Sequence, residues 1–273
     1  MRLGGPIFKK CDNAQDWIKA LKEEKYSAAY CPVKNDVPDE TIIDYVKAAK
    51  EAGIIIAEVG AWSNPLSPDK KTRRDAADFC KKQLELAEKI GAKCCVNISG
   101  SRSAQWDGPS GNNLTEETFD LIVCVVRDII RSVKPKKAFY TLETMPWMYP
   151  DSADSYLELI KAIDCKQFGV HFDPVNLICS PQRFYNNAVI IKDFCKKLGR
   201  FIKSCHAKDI SLSGKLTTHL DEVRPGTGGI DYKTYLKEVN KLGKDIPVML
   251  EHLSSKSEYK KAAAYIRSVE KEL

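Results

Sequence analysis

The sequence predicts an α/β chain folded as a single (β/α)8 barrel over residues 1–273. Eight short apolar, β-branched runs alternate strictly with eight segments of helical periodicity, and strict alternation implies parallel pairing. The length of 273 residues suits the roughly 250 that such a barrel uses as one domain. No GxGxxG follows the first apolar run, so the open dinucleotide-binding sheet lacks its usual marker.

Residues 2–7 read as the first strand. Residues 13–24 read as a helix, with an Asx cap and apolar Trp17, Ile18 and Leu21. Residues 26–30 form the second strand, and the helix 39–52 stops at Gly53 in the C′ position. After a third strand at 54–59, Pro68 and Asp69 open a helix that runs to Ile90 and ends at Gly91. The fourth strand is 93–98; the helix that begins at Thr115 reaches Val133, and Pro135 bars its continuation. Strands five to eight are 138–142, 168–172, 201–207 and 246–250, with helices over 152–163, 187–198, 231–242 and 257–273. One longer excursion, residues 210–229, separates the seventh strand from its helix.

With 43% hydrophobic and 29% charged residues the chain can bury a core, which argues against disorder. The net charge of +6 is mild and its lysines are spread over many helices, so no nucleic-acid partner is expected. The apolar runs are too short to span a bilayer, and the first ten residues lack an apolar signal segment, so a cytoplasmic protein with no membrane partner is expected. Ten cysteines without a CxxC pair, several in apolar runs (Cys80, Cys124, Cys195), read as reduced, buried thiols.

In a (β/α)8 barrel, chemistry sits at the C-terminal ends of the strands. The fifth strand ends in Thr141-Leu142-Glu143 and the sixth in His171-Phe172-Asp173. The seventh carries Ser204-Cys205-His206-Ala207-Lys208-Asp209, and the eighth ends in Met249-Leu250-Glu251-His252. One polar strand end is ordinary, because loops are polar. Glu143, Asp173, His206 and Glu251 at four consecutive ends are not. Three carboxylates brought to one mouth resist ionisation together. A single divalent cation resolves the conflict: three oxygen donors and one imidazole suit Mn²⁺, Mg²⁺, Co²⁺ or Zn²⁺, with positions left for water or substrate.

The segments LETMPW (142–147), HFDPVN (171–176), HAKD (206–209) and MLEH (249–252) resemble, in this order and over nearly the whole chain, the xylose isomerase-like barrel superfamily. That group holds sugar isomerases and epimerases and an AP endonuclease of the same fold. The resemblance implies Glu143, Asp173, His206 and Glu251 as metal ligands, with Mn²⁺ the first candidate. By analogy with the related ketose epimerases it also implies Glu143 and Glu251 as the acid/base pair that moves a proton beside a carbonyl. Asn176 departs from the pattern: epimerase and nuclease relatives often carry histidine there, whereas an amide hydrogen-bonds a hydroxyl but does not titrate usefully.

Other residues are candidates for substrate contact. Trp62, Trp106 and Trp147 follow strands three, four and five, where an indole can stack on a sugar's C–H face or simply pack the rim. His171 shares strand parity with Asp173, as Lys208 does with His206, so both can face the mouth. Glu58 and Asn97 are placed to point inward, while His219 and His252 read as structural or exposed. Arg224 precedes Pro225-Gly226-Thr227-Gly228-Gly229, like the arginine-then-PGxG loop of the epimerases. Such a turn can cradle a phosphate or merely meet backbone geometry.

The expected activity is a metal-dependent isomerisation or epimerisation of a small carbohydrate, free or phosphorylated, in a possible homo-oligomer. The alternative is a lyase or dehydratase of the same fold acting on a keto-sugar or inosose. A nuclease metal cluster needs further histidines after strands three and four, and this chain has four histidines, none before His171. A non-catalytic sugar-binding subunit would be favoured by loss of a ligand glutamate, and none is missing.

Overall fold

The computed structural model describes all 273 residues. Its strands are β1 (Arg2–Gly4), β2 (Ala28–Tyr30), β3 (Ile55–Gly60), β4 (Cys94–Asn97), β5 (Phe139–Glu143), β6 (Phe168–Phe172), β7 (Ile202–Ala207), β8 (Asp209–Ser213), β9 (His219–Val223) and β10 (Pro247–Leu250). Its helices are α1 (Ala14–Glu23), α2 (Asp39–Ala52), α3 (Lys70–Ile90), α4 (Glu116–Val133), α5 (Ala153–Ile163), α6 (Pro181–Tyr185), α7 (Asn187–Leu198), α8 (Tyr232–Lys241) and α9 (Lys256–Lys271). Eight strands close into a parallel barrel in the order β1-β10-β7-β6-β5-β4-β3-β2.

Local chemistry sets the boundaries. The side chains of Asn13, Asp69, Thr115, Ser152 and Ser255 each accept from the N–H three residues on, which opens α1, α3, α4, α5 and α9. Gly53 and Gly91 close α2 and α3 at φ 66° and 72°, a left-handed conformation that glycine adopts without strain. The 210–229 excursion is a second, antiparallel sheet: β8 and β9 form a hairpin in register from Asp209↔Val223 to Ser213↔His219. The short α6, with Ser180 as cap and Pro181 at its start, was invisible to periodicity because five residues show too little of it.

The main core lies between barrel and helices. Phe172 and Phe194 stack there at 4.2 Å, and Tyr156, Leu84, Ile129 and Tyr235 are fully buried. Cys80, Cys94, Cys95, Cys195 and Cys205 are buried too, but Cys124 lies on the exposed face of α4, contrary to the apolar run around it. Ala28, Ala57 and Met249 form a small apolar cluster of their own, with Met249 level with His206 across the β10–β7 pair. A Cβ on Gly4 would stand 2.5 Å from the Ala28 carbonyl and 2.6 Å from Met249 Sδ, so only glycine fits.

Two irregularities re-aim side chains into the lumen. Ala29 and Tyr30 of β2 pair with Ile56 and Glu58, so Ala57 is an extra residue in β3. Val170 and His171 of β6 pair with Ile202 and Ser204, so Lys203 is an extra residue in β7. Bulges of this kind turn the residues beyond them to the other face. Glu58 and the series Ser204, His206, Lys208 thereby point into the barrel.

Candidate active site at the barrel mouth

Helices behind the barrel anchor the ends of β5 and β7. The Tyr156 hydroxyl of α5 donates to the Leu142 carbonyl (2.6 Å), which fixes the end of β5 beside Glu143. From α8, Tyr235 donates to the His206 carbonyl (2.7 Å) and Tyr232 to the Lys208 carbonyl (2.6 Å). The backbone of the β7 end is thus held from outside while its side chains face in.

The structure brings Glu143, Asp173, His206 and Glu251 together, with one ligand atom of each within 4.8 Å of the others. His206 Nδ1 lies 2.7 Å from Glu251 Oε1, 3.1 Å from Glu143 Oε1 and 3.7 Å from Asp173 Oδ2. Asp173 divides its oxygens: Oδ1 accepts from the Val175 and Asn176 N–H groups (2.9 and 3.3 Å), while Oδ2 faces the cluster. Asn176 is committed to the carboxylates; its Nδ2 donates to Glu143 Oε1 at 3.0 Å.

Lys208 lies inside this set. Its ammonium is 2.6 Å from Glu251, 2.8 Å from Asp173, 3.5 Å from Glu143 and 3.8 Å from Glu222. Burial opposes every charge here, but mutual attraction prevails. Burial works against charge on Lys208, yet Asp173, Glu143 and Glu251 lift its pKa well above the ordinary lysine range. Asp173, against its own burial, is held well below the usual carboxylate range by Lys208 and His206. His206, also against burial, is raised well above the ordinary imidazole value by Glu251, Glu143 and Glu58.

The donor set fits a divalent cation. Asp173 Oδ2 and Glu251 Oε1 are buried yet accept no well-aligned hydrogen bond, although the Lys208 ammonium is close to both. Oxygens that converge without a donor aimed at them are what a cation satisfies. Three hard oxygens and one imidazole nitrogen match Mn²⁺, Mg²⁺, Co²⁺ or Zn²⁺.

Other candidates fall elsewhere. His171 is fully buried below the mouth, with Nε2 2.9 Å from Glu58 Oε2. Asn97 points out of the lumen, not into it: its amide pairs with the N–H and carbonyl of Ser63 (both 3.2 Å) and holds the loop after β3. Arg224 is paired with Glu258 of α9 (2.9 Å). The glycine turn cradles no phosphate, because its N–H groups are already taken. Asp209 Oδ2 accepts from Gly226 and Gly228 (2.9 and 3.0 Å), and Oδ1 accepts from Ile210 and Ile230 (2.9 Å each). Gly228 is obligatory there, since a Cβ would stand 2.4 Å from Asp209 Oδ1. Trp62, Trp106 and Trp147 lie on the loops after β3, β4 and β5 and stay about two-fifths exposed (41, 40 and 39%). The Trp147 indole donates to the Asp107 carbonyl (2.8 Å), which fixes its plane. His252 is exposed and pairs with Glu222 of the hairpin (3.2 Å).

A closed parallel barrel with three carboxylates and an imidazole at the C-terminal ends of β5, β6, β7 and β10 defines an α/β barrel with a cation-ready mouth. The sequence model of the family described as xylose isomerase-like TIM barrel matches residues 18–269, and the chain belongs to that family. No curated protein matches at the sequence level. Among solved structures, D-psicose 3-epimerase from Clostridium cellulolyticum H10 with D-tagatose is 15% identical at a TM-score of 0.68, over 98% of this chain and 99% of that one. A xylose isomerase-like TIM barrel protein from Mycobacterium smegmatis in complex with magnesium is 17% identical at a TM-score of 0.67, over 94% and 87%. The probable 3-DHS dehydratase AsbF of Bacillus anthracis is 14% identical at a TM-score of 0.68, over 98% of each chain. At these identities the likeness is one of fold. No helix is long and apolar enough to cross a membrane.

Proposed function

We propose that this chain is a divalent-metal-dependent isomerase or epimerase that moves a proton at a carbon next to the carbonyl of a non-phosphorylated sugar. The observation that carries the reading is the convergence of Glu143, Asp173, His206 and Glu251 from four consecutive barrel strands. When bound, a divalent cation, Mn²⁺ first among the candidates, would supply the positive charge that an enediolate needs. Glu143 and Glu251 are the acid/base pair: one carboxylate takes the α-proton and its partner returns one. Asn176 orients Glu143 through its 3.0 Å hydrogen bond. The buried Lys208 ammonium lies 3.5 and 2.6 Å from the two glutamates and adds positive charge beside the substrate oxygens. Trp62 and Trp147 offer flat apolar faces at the rim that suit the C–H side of a sugar ring. Arg224, bound to Glu258, and the glycine turn, filled by Asp209, have little left for a phosphate.

The presence of a D-psicose 3-epimerase among proteins of this fold supports the reading. The test is a panel of free ketoses, aldoses and keto-sugars, with their phosphates, incubated with Mn²⁺-loaded protein and followed by NMR. Conversion of a free sugar in preference to its phosphate is expected. Conversion of phosphates alone would overturn the substrate assignment. A dehydratase of the same fold supports a second outcome, the same proton abstraction followed by loss of a β-hydroxyl, which the spectra report as an unsaturated product.

A further inference from the structure

Below the four ligand-type residues lies a second polar group that their chemistry does not use. Glu58 of β3 is 2% exposed, and its carboxylate crosses the lumen to β6 and β7. Oε2 accepts from Ser204 Oγ and His171 Nε2, both at 2.9 Å, and Oε1 stands 3.2 Å from His206 Nε2. Glu58 never reaches the mouth. It touches the outer nitrogen of the one imidazole in the ligand set, on the side away from the other three ligands.

We propose that Glu58 is the positioning residue of the metal site: it holds the His206 ring by Nε2–H, so that Nδ1 presents its lone pair to the cation. The inference rests on reading the four residues as a metal set. An ionised carboxylate accepts and never donates, so the contact at 3.2 Å requires a hydrogen on Nε2. An imidazole that binds a cation has given up one of its two protons, and with Nε2–H held by Glu58 the nitrogen left free as ligand atom is Nδ1. That nitrogen is the one within 2.7–3.7 Å of Glu251, Glu143 and Asp173. His171 and Ser204 are the counterweights. By donating to Oε2 they fix the carboxylate from below and leave Oε1 for His206. His171 in turn packs against His206, with ring centroids 4.1 Å apart, which limits rotation of the ligand ring. The bulge at Ala57 gives the arrangement its purpose: without the extra residue, Glu58 would face the helical layer.

Carboxylate partners of ligand histidines typically contribute 10- to 100-fold in metal affinity. Glu58→Gln keeps the shape, removes the charge and sets an amide against one of its donors. Mn²⁺ affinity measured by calorimetry should therefore fall about 10- to 100-fold in this variant. Ile129→Ala, a cavity in the helical layer, controls for stability loss: it should lower the melting temperature yet leave Mn²⁺ affinity within about twofold, as distant sites act independently. In parallel, nitrogen NMR of parent protein labelled at histidine and loaded with diamagnetic Zn²⁺ should show His206 protonated at Nε2 and metal-bound at Nδ1. Unchanged Mn²⁺ affinity in folded Glu58→Gln, an equal affinity loss in Ile129→Ala, or His206 protonated at Nδ1 in the Zn²⁺-loaded parent would overturn the inference. If Glu58→Gln does not fold, the parent spectrum decides alone. Parent protein that binds no metal would overturn both this inference and the metal reading beneath it. Parent protein that binds metal as described but converts no sugar would overturn the proposed activity alone.

Discussion

Replacing Lys208 with methionine removes one positive charge from a pocket of three carboxylates while keeping most of the side-chain volume. The ammonium is 2% exposed and lies 2.6, 2.8 and 3.5 Å from Glu251, Asp173 and Glu143. Deleting one partner of a buried ion pair costs about 3–5 kcal/mol, because the remaining charge is left uncompensated. Each kcal/mol lowers the melting temperature of a chain of this size by roughly 2–4 °C. Metal-stripped Lys208→Met should therefore melt roughly 6–20 °C below the parent. A divalent cation answers the same need for positive charge, and at one hundred times its Kd it stabilises a chain that binds it by about 2.7 kcal/mol. The variant binds that cation with no ammonium competing for Asp173 and Glu251, so it gains more than the parent does. Scanning calorimetry in EDTA and in saturating Mn²⁺ should show a wide gap that narrows with metal. Equal melting of parent and variant in EDTA, or a gap that metal leaves unchanged, refutes the idea that ammonium and cation serve one charge requirement.

Asp209→Ala strands four backbone N–H groups around the glycine turn. Two of the four, on Ile210 and Ile230, are buried; at about 1–3 kcal/mol for each buried unsatisfied donor, unfolding free energy should fall by about 2 kcal/mol or more in urea titrations, and an unmoved midpoint would mean that the turn is held by other contacts. Burial works against ionisation of Glu251, but His206 and Lys208 hold its carboxyl down to about 2. The native value lies below the ordinary 4.5, so the unfolded chain takes up the proton first. Glu251 thus contributes stability in full at neutral pH and loses it as pH falls from about 4.5 through about 2. Urea midpoints of metal-free Glu251→Gln should accordingly fall less over that range than those of the parent; parallel profiles would contradict it. Glu143→Gln and Glu251→Gln, assayed at saturating metal, should each lower proton exchange on the substrate by at least ~10²-fold. Parent-like rates would remove both residues from the acid/base role.

The barrel was legible because alternation of runs and caps is local: Asn13, Asp69, Thr115 and Ser152 each fix a helix start within four residues. The four strand-end residues were legible for the same reason, since a strand's last inward residue can be counted along the chain. Glu58 could be named as inward-pointing, but its partners could not. They come from β6 and β7, and the bulge that aims it is set by strand pairing, not by residue type. Asn97 went the opposite way: it lies on the outer face of β4, where Ser63 takes both ends of its amide. Lys208 was expected to face substrate by parity. Its position among the carboxylates follows from a side chain long enough to reach all three, a distance no sequence pattern reports. The glycine turn left open whether it cradles a phosphate or merely meets backbone geometry. Asp209 sits next to the HAK run and fills the turn's N–H groups from within. The signal was present as the aspartate of HAKD, but nothing local connects it to glycines some twenty residues on.

Proton abstraction beside a carbonyl is tested most directly by solvent exchange. Mn²⁺-loaded protein incubated in D₂O with free ketoses and keto-sugars should replace one specific C–H by C–D, even where net conversion is slow. The signal should vanish when the metal is removed and return when it is restored. Metal-loaded protein that exchanges no C–H in any member of the panel would contradict the account and leave a sugar-binding barrel without the reaction.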